Sequence, residues 1–365
     1  MVADRDRFYM GQALRLAERG RATTAPNPMV GALVVDPEGV IVGRGAHAVA
    51  GGPHAEILAL QDAGTRVRGA TLYCTLEPCC HTGRTGPCAP VVAASGVSRV
   101  VTASEDPNPQ VAGRGHAWLR DRGIAVTSGV QEAAARRLNE AFFTAMRLRR
   151  PFVTMKVAIS LDGYISASSS APTRLTGAAA DRLIHRDRAE VDAIAIGSGT
   201  VLADNPRLTP RIVFRQRPLT RIVFDRRLRT PPSARLFSTL STGPVIIVTA
   251  PIATSERMRA AGGLRAAGAT IDEGGADLSL RSTLERLTAG GIQSLMVEGG
   301  THLHRAFWDA GAVDRVQIYV APCELGPAGW PWMAEPVIAA ERIAQRWARP
   351  VGDDVLIEAY VHGAH

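Results

Sequence analysis

The chain predicts an α/β protein of two domains, and three observations carry that prediction. Apolar runs of strand length alternate with segments of helical spacing in both halves. The 365 residues are long for one hydrophobic core and ample for two. The alternation also restarts after an arginine-rich stretch that ends at Pro151, so the boundary is placed near Arg149 to Pro151, giving segments 1–148 and 151–365. The halves share this rhythm but no motif, which excludes an internal repeat.

In the first segment, RFYMGQALRLAERG sets Met10, Leu14 and Ala17 at helical spacing. The loop TAPNPMVG follows, and then two apolar runs, ALVV and VIVGRG, joined by the turn DPEG, which read as a hairpin. GGPHAEILALQDAG predicts a helix with Pro53 in its first turn, a position that proline tolerates. ATLYCTL reads as a buried strand running into the loop EPCCHTGRTGPC. The segments APVVAASG, VSRVVTAS, GRGHAWLRDRG and IAVTSGV continue the alternation, predicting a sheet covered by helices on both faces. One polar helix over 131–150 closes the segment. The second segment opens at PFVTMKVAISLDG and carries strands at VDAIAIG, RIVFD, PVIIVTA, SLMVEGG and RVQIYVAP.

Composition narrows the function classes. With 46% hydrophobic and 21% charged residues and no low-complexity tract, the chain reads as a folded soluble protein. The start MVADRDRFYM is charged where a signal peptide needs an apolar core, and no apolar run approaches the ~20 residues that span a bilayer, so a cytoplasmic protein without a membrane partner is expected. The net charge of +8 comes from arginines spread over both halves, which reads as a solvated surface rather than a nucleic-acid stripe. Aromatic content of 5% is too sparse for a single-strand stacking platform. A phosphorylated small substrate would use a few of these arginines equally well.

The cysteines point to chemistry. Five in number, an odd total with three of them clustered, they do not look like a secreted disulfide framework. His54, Cys79 and Cys88 are candidate metal ligands, and three protein ligands leave the open position that a catalytic zinc site keeps. Glu56, two residues after His54, can lie beside the metal without binding it, as a general acid and base should. The loop after ATLYCTL begins at a strand end, and PCAPVV starts a helix whose N-terminus favours a thiolate. His, Cys, Cys and a non-ligand Glu make up the set of the zinc-dependent nucleobase deaminases. A lone histidine is more often structural, and a buried cysteine is commonly a small hydrophobe; it is the four residues in register that favour catalysis. Cys74 and Cys80 read as bystanders. A closed site that also used Cys80 would instead make a zinc-stapled nucleic-acid-binding module.

Eight residues separate Cys79 from Cys88, unlike the short Pro-Cys-x-x-Cys of nucleoside deaminases. At this loop the chain resembles the bifunctional riboflavin-biosynthesis deaminase and reductase family. The resemblance extends to PNPMVGALVV, AGGPHAE and DPNPQVAGRG, and in the second half to TMKVAISLDGYIS, HRDRAEVDAIAIGSGTVLADNPRLTPR, RIVFDRRLRTPP and LMVEGGTHLHRAFWDAGAVDRVQIYVAP. It implies a cytidine-deaminase-like three-layer domain followed by a dihydrofolate-reductase-like domain, with Zn2+ and NADPH as cofactors. It further implies zinc on His54, Cys79 and Cys88, proton transfer by Glu56, and binding of a phosphorylated pyrimidine riboside by Asn27, His81 and Arg84. In the second domain it implies substrate contacts from Arg188, Leu208, Arg211 and Glu298. Cofactor contacts are implied for Ala158, Arg174, Thr200, Asp204, Gly299, Gly300 and Thr301. Alone, MVEGGTHL signals only weakly that a strand ends in Gly-Gly at a helix start, where amides can cradle phosphate.

Two stretches depart from the family pattern. PTRLT places Pro172 and Arg174 where a serine and a tryptophan are usual, which leaves a deaminase with lost or altered reductase activity as a second reading. CELGPAGWPWMAEP, with two tryptophans and three prolines, replaces a simpler glycine loop. A homodimer is expected from the frequency of symmetric oligomers among enzymes.

Overall fold

The computed structural model describes residues 2–81, 86–168, 173–211, 213, 215–274, 277, 279–333 and 337–361. The chain forms two compact units, the first running to Leu148 and the second beginning at Arg149.

The first unit comprises, in order, α1 (Val2–Ala17), β1 (Gly31–Val35), β2 (Ile41–Ala46), α2 (Ala55–Ala63), β3 (Thr71–Cys74), α3 (Cys88–Ala94), β4 (Arg99–Thr102), α4 (Arg114–Arg120), β5 (Ala125–Thr127), α5 (Glu132–Leu138) and α6 (Glu140–Leu148). The sheet order is β2-β1-β3-β4-β5, antiparallel across β2, β1 and β3 and parallel from β3 to β5. All five residues of β1 are buried because both faces of the sheet are covered. Leu33 and Val35 pack with Met10 and Ala13 of α1, while Ala32 and Val34 pack with Ala55 and Ala59 of α2 and Val92 of α3.

Helix α2 lies unusually close to the hairpin. A Cβ at Gly43 would fall 2.2 Å from the Ala59 carbonyl oxygen, and one at Gly45 would fall 2.0 Å from that of Ala55. The absence of side chains at these two positions of β2 therefore sets the depth at which α2 sits.

Two expectations are corrected. Pro53 precedes the first helical turn, since His54, with extended φ and ψ of −73° and 156°, is the N-cap of α2. The expected single helix over 131–150 is broken at Asn139, whose side-chain oxygen accepts from the Met29 N–H at 2.7 Å and whose amide donates to the Met29 carbonyl at 2.9 Å. An asparagine so engaged favours a break over helix continuation.

The second unit contains β6 (Phe152–Ser160), β7 (Tyr164–Ser166), α7 (Ala178–Glu190), β8 (Ala193–Gly197), α8 (Ser198–Asp204), β9 (Thr220–Phe224), β10 (Val245–Val248), α9 (Ser255–Ala266), β11 (Ala269–Asp272), α10 (Leu280–Ala289), β12 (Ser294–Val297), α11 (Thr301–Asp309), β13 (Arg315–Ala321), β14 (Trp330–Pro331), β15 (Gln345–Val351) and β16 (Asp354–Tyr360). Nine strands form one sheet in the order β11-β10-β9-β8-β12-β6-β13-β16-β15, parallel as far as β13 and antiparallel beyond it. Both faces of the parallel part are covered, and alternate residues of β8 serve opposite cores, Ala193 and Ala195 on one side and Ile194 and Ile196 on the other. β15 and β16 have no counterpart among the expected strands. Six of the seven residues of β15 are exposed, so it lacks the apolar alternation that marks a strand in a sequence.

A Gly45→Val change drives Cβ into the backbone of α2. We expect a cost of about 1–3 kcal/mol, read as a lower thermal midpoint of the first unit, together with reduced zinc content by metal analysis.

Candidate functional site

The first site lies at the C-terminal end of β3. Glu77 begins the loop after this strand and is 2% exposed. Its carboxylate accepts from the backbone N–H groups of Gly113 at 2.9 Å, His116 at 3.0 Å and Asp106 at 3.2 Å. The motifs EPC and DPNPQVAGRG thus form one loop pair around a buried acid. Gly115 completes the fit, since a Cβ there would lie 2.1 Å from the Pro78 carbonyl oxygen.

This support brings Cys79 beside Cys88, the first residue of α3, and His54, the N-cap of α2. His54 Nδ1 lies 3.1 Å from Cys88 Sγ and 3.5 Å from Cys79 Sγ, and the three ligand atoms fall within 4.8 Å of one another. Tetrahedral zinc with bonds of about 2.0 Å to nitrogen and 2.3 Å to sulfur needs nitrogen–sulfur edges near 3.5 Å, so the donor set fits zinc. The Cys88 N–H points at Cys79 Sγ from 3.3 Å. Hydrogen bonding from Cys88, opposed by burial and reinforced by His54, holds the Cys79 thiol well below its ordinary range, the thiolate state a metal ligand needs. Glu56 is 4% exposed, and burial pushes its carboxyl up to about 7. A carboxyl poised there can both take and give a proton near neutrality.

Asn27 reaches this site through an intermediary that sequence reasoning missed. Its side-chain nitrogen lies 3.1 Å from Nε2 of buried His47, whose Nδ1 is 3.0 Å from the Pro53 carbonyl oxygen. His47 thereby holds the entry to α2, and its ring meets that of His54 edge-on at 5.5 Å. Its only signal in the sequence was a histidine at the end of an apolar strand. His81 follows Cys80 and has a buried Nδ1 without a hydrogen-bond partner among the described residues. Arg84 lies outside the described residues. Cys74 is fully buried in the core and burial pushes its thiol up, while Cys80 packs against the same core.

The second site is a cavity of about 1220 Å³ in the second unit. It opens where β8 and β12 lie side by side, β8 running directly into α8 and β12 leading through a short turn into α11, the place in a parallel sheet where ligands bind. Helix α8 contributes Thr200 and Asp204, with Leu208 just beyond it; the loop after β12 contributes Glu298, Gly299 and Gly300, and Thr301 begins α11. Ala158, Arg174 and Arg188 also line it. Arg188 grips Glu298 with two hydrogen bonds of 2.6 and 2.5 Å. Burial raises the Glu298 carboxyl, but the Arg188 charge outweighs it and holds the group down to about 2. Arg174 is largely exposed and pairs with Asp181 at 3.0 Å. Pro172 lies outside the described residues. Arg211 is not among the residues lining the cavity; its guanidinium lies 3.4 Å from His185 Nε2.

Several cavity residues escaped sequence reasoning. Lys156 lies in the wall, and burial pushes its ammonium below its ordinary value while nearby Glu298 opposes that shift. A single cation inside the otherwise uncharged run FVTMKVAIS was the available signal. Arg226, Arg227 and Arg229, beyond the end of β9, give the same cavity further positive charge.

Fold and sites together define a zinc-binding deaminase unit joined to a reductase unit. Residues 3–104 match the cytidine and deoxycytidylate deaminase zinc-binding region, and residues 151–356 match the RibD C-terminal domain. The chain is 40% identical over 326 residues to riboflavin biosynthesis protein RibD of Aquifex aeolicus, covering 89% of each. It is also 40% identical over 333 residues to RibD of Escherichia coli, covering 88% of this chain and 89% of that protein. Acinetobacter baumannii RibD superposes with a TM-score of 0.86 at 34% identity over 98% of this chain and 99% of that one. A Thermotoga maritima protein described as a diaminohydroxyphosphoribosylaminopyrimidine deaminase and 5-amino-6-(5-phosphoribosylamino)uracil reductase superposes with a TM-score of 0.85 at 30% identity, over 99% of both chains. The chain belongs to the RibD family, the bifunctional deaminases and reductases of riboflavin biosynthesis, which use Zn2+ and NADPH.

The Arg188–Glu298 pair makes a specific acid response. Because the folded carboxyl sits near 2 against an ordinary 4.5, its stabilising contribution is complete above pH 4.5 and is lost as pH falls toward 2. Arg188→Met removes the counter-charge, costs about 3–5 kcal/mol, and moves the acid-unfolding midpoint of the second unit, followed by tryptophan fluorescence, to higher pH.

Proposed function

We propose that this enzyme deaminates a diaminopyrimidinone ribosylamine phosphate and then reduces the ribosyl chain of the product to ribityl. The observation that carries the first step is the convergence of His54, Cys79 and Cys88 beside a buried, non-ligating Glu56. When bound, zinc supplies a Lewis acid that makes a water nucleophilic near neutral pH. Glu56 takes the proton of that water and passes it to the departing amino group, so that a carbon–nitrogen bond is exchanged for a carbon–oxygen bond and ammonia leaves. Asn27, held by His47, and His81, with its unpartnered Nδ1, are the groups at this site suited to orient the pyrimidine, with Arg84 assigned to its phosphate by resemblance.

For the second step, bound NADPH supplies a hydride to the carbon of the opened ribose imine. Arg188 and Glu298 form one rigid unit in the cavity that can meet the sugar, with Leu208 as an apolar wall. Lys156, its ammonium loosened by burial, is the group best placed to furnish the accompanying proton. Thr200 and Asp204 with Gly299, Gly300 and Thr301 face the cofactor, and Arg174, Arg226, Arg227 and Arg229 match its negative charge. The persistence of this cavity favours an active reductase over a deaminase with a lost second function. We also propose a cytoplasmic location, where thiol ligands stay reduced, and a homodimer. Among the described residues no helix is long and apolar enough to cross a membrane.

The test follows ammonia release and NADPH oxidation in one sample of zinc-loaded protein supplied with the diaminopyrimidinone ribosylamine phosphate. Both are expected in equal amounts; ammonia without NADPH loss, repeated with isolated deaminated intermediate, would overturn the reductase assignment. Glu56→Gln retains zinc and loses about 10²–10⁴-fold in ammonia release, while NADPH oxidation with the deaminated intermediate persists. Removal of zinc by a chelator likewise abolishes ammonia release and spares reduction of that intermediate.

A further inference from the structure

The tryptophan-rich segment that departs from the family pattern is tied to the start of α11 by two hydrogen bonds. Thr301 Oγ1 donates to the Pro331 carbonyl oxygen at 2.8 Å. The indole Nε1 of Trp332, which is 6% exposed, lies 2.9 Å from Nδ1 of fully buried His304, the two rings standing perpendicular. The other ring nitrogen, Nε2, has two backbone neighbours: the Val297 carbonyl oxygen at 3.2 Å and the Gly299 N–H at 3.1 Å.

Nε2 cannot serve both neighbours. Protonated, it donates to Val297; unprotonated, it accepts from Gly299. Trp332 decides between these states, because an indole N–H only donates, and so Nδ1 must be the accepting nitrogen and Nε2 must carry the proton. Val297 O is then satisfied, and the Gly299 N–H faces a nitrogen without a lone pair. Burial pushes the His304 ring down to about 4, so it stays neutral with a single proton to place.

We propose that Trp332 is a positioning residue for the cofactor: by donating to His304 it selects the Nε2–H tautomer, deprives the Gly299 N–H of its acceptor on the ring, and so frees that peptide to turn toward the cavity it lines, where a phosphate oxygen of the nicotinamide dinucleotide accepts from it. A half-buried amide that has lost its acceptor within the protein gains when an anion arrives, and a hydrogen bond to a charged acceptor is among the stronger ones. This inference rests on the reading of the cavity as the NADPH site. It also assigns a purpose to Trp332 within the segment 323–333: the segment, whose Trp330 lines the cavity, braces the Gly-Gly turn that follows β12.

The experiment records the ring-nitrogen resonances of His304 and titrates NADPH in the full-length protein and in Trp332→Phe, which keeps the ring bulk and removes the donor. Without cofactor, the His304 proton is expected on Nε2 in the unsubstituted protein and on Nδ1, in part or whole, in the variant. The NADPH Kd and KM then rise about tenfold, the loss of roughly one hydrogen bond to a charged group, while kcat changes little and ammonia release is unaltered. In a His304→Gln background, where the side-chain amide donates to Val297 whatever its neighbour does, Trp332→Phe adds no further loss. A proton on Nδ1 in the unsubstituted protein overturns the inference even if the variant does not fold, and so does a variant with unchanged NADPH affinity. Failure of the unsubstituted protein to bind NADPH would overturn the reading of the cavity itself, and is distinguishable because the tautomer is observed without cofactor.

Discussion

The deaminase unit depends on how closely one helix can approach one hairpin. α2 carries His54 at its N-cap and Glu56 in its first turn, and its depth is set by Gly43 and Gly45, where any side chain would overlap the helix backbone. From that depth His54 meets two sulfurs delivered by other elements, and Glu56 is sealed beneath them. The raised carboxyl of Glu56 is a consequence of the same approach, because desolvation is what moves it. Packing and proton chemistry share a single cause here.

The supporting contacts are polar and buried. Glu77 gathers three backbone amides from the loop before α4 and its first turn, His47 links Asn27 to the entrance of α2, and the Asn139 side chain makes two bonds to the Met29 backbone. Each satisfies backbone groups that would otherwise be left unpaired between elements. Such contacts specify loop positions that apolar packing alone would leave loose.

In the reductase unit the same economy operates with charge. Arg188 and Glu298 are held together in the wall of the cavity, so that neither is an isolated ion, and the arginines beyond β9 remain without carboxylate partners among the described residues. A site that is positively charged at its edges and internally paired at its centre suits a polyanionic cofactor above a neutral reacting carbon. Arg174 lies at the same cavity and pairs with Asp181.

By itself the sequence determined what local pattern can encode. The two α/β alternations, the hairpin of β1 and β2, the ligand triad with its glutamate and the Gly-Gly turn after β12 were all legible, because period, turn residues and ligand chemistry are written in neighbouring positions. Tertiary structure alone decided the roles of His47, Lys156, Trp332 and His304, the break at Asn139, and the exposed edge strand β15. Each depends on a partner distant in the chain: His304 lies 28 residues from the indole that settles its tautomer, and Asn139 lies 110 residues from Met29. Such pairings leave no periodic trace, since the physical reason for the residue sits on another element and becomes visible only once the sheet brings them together.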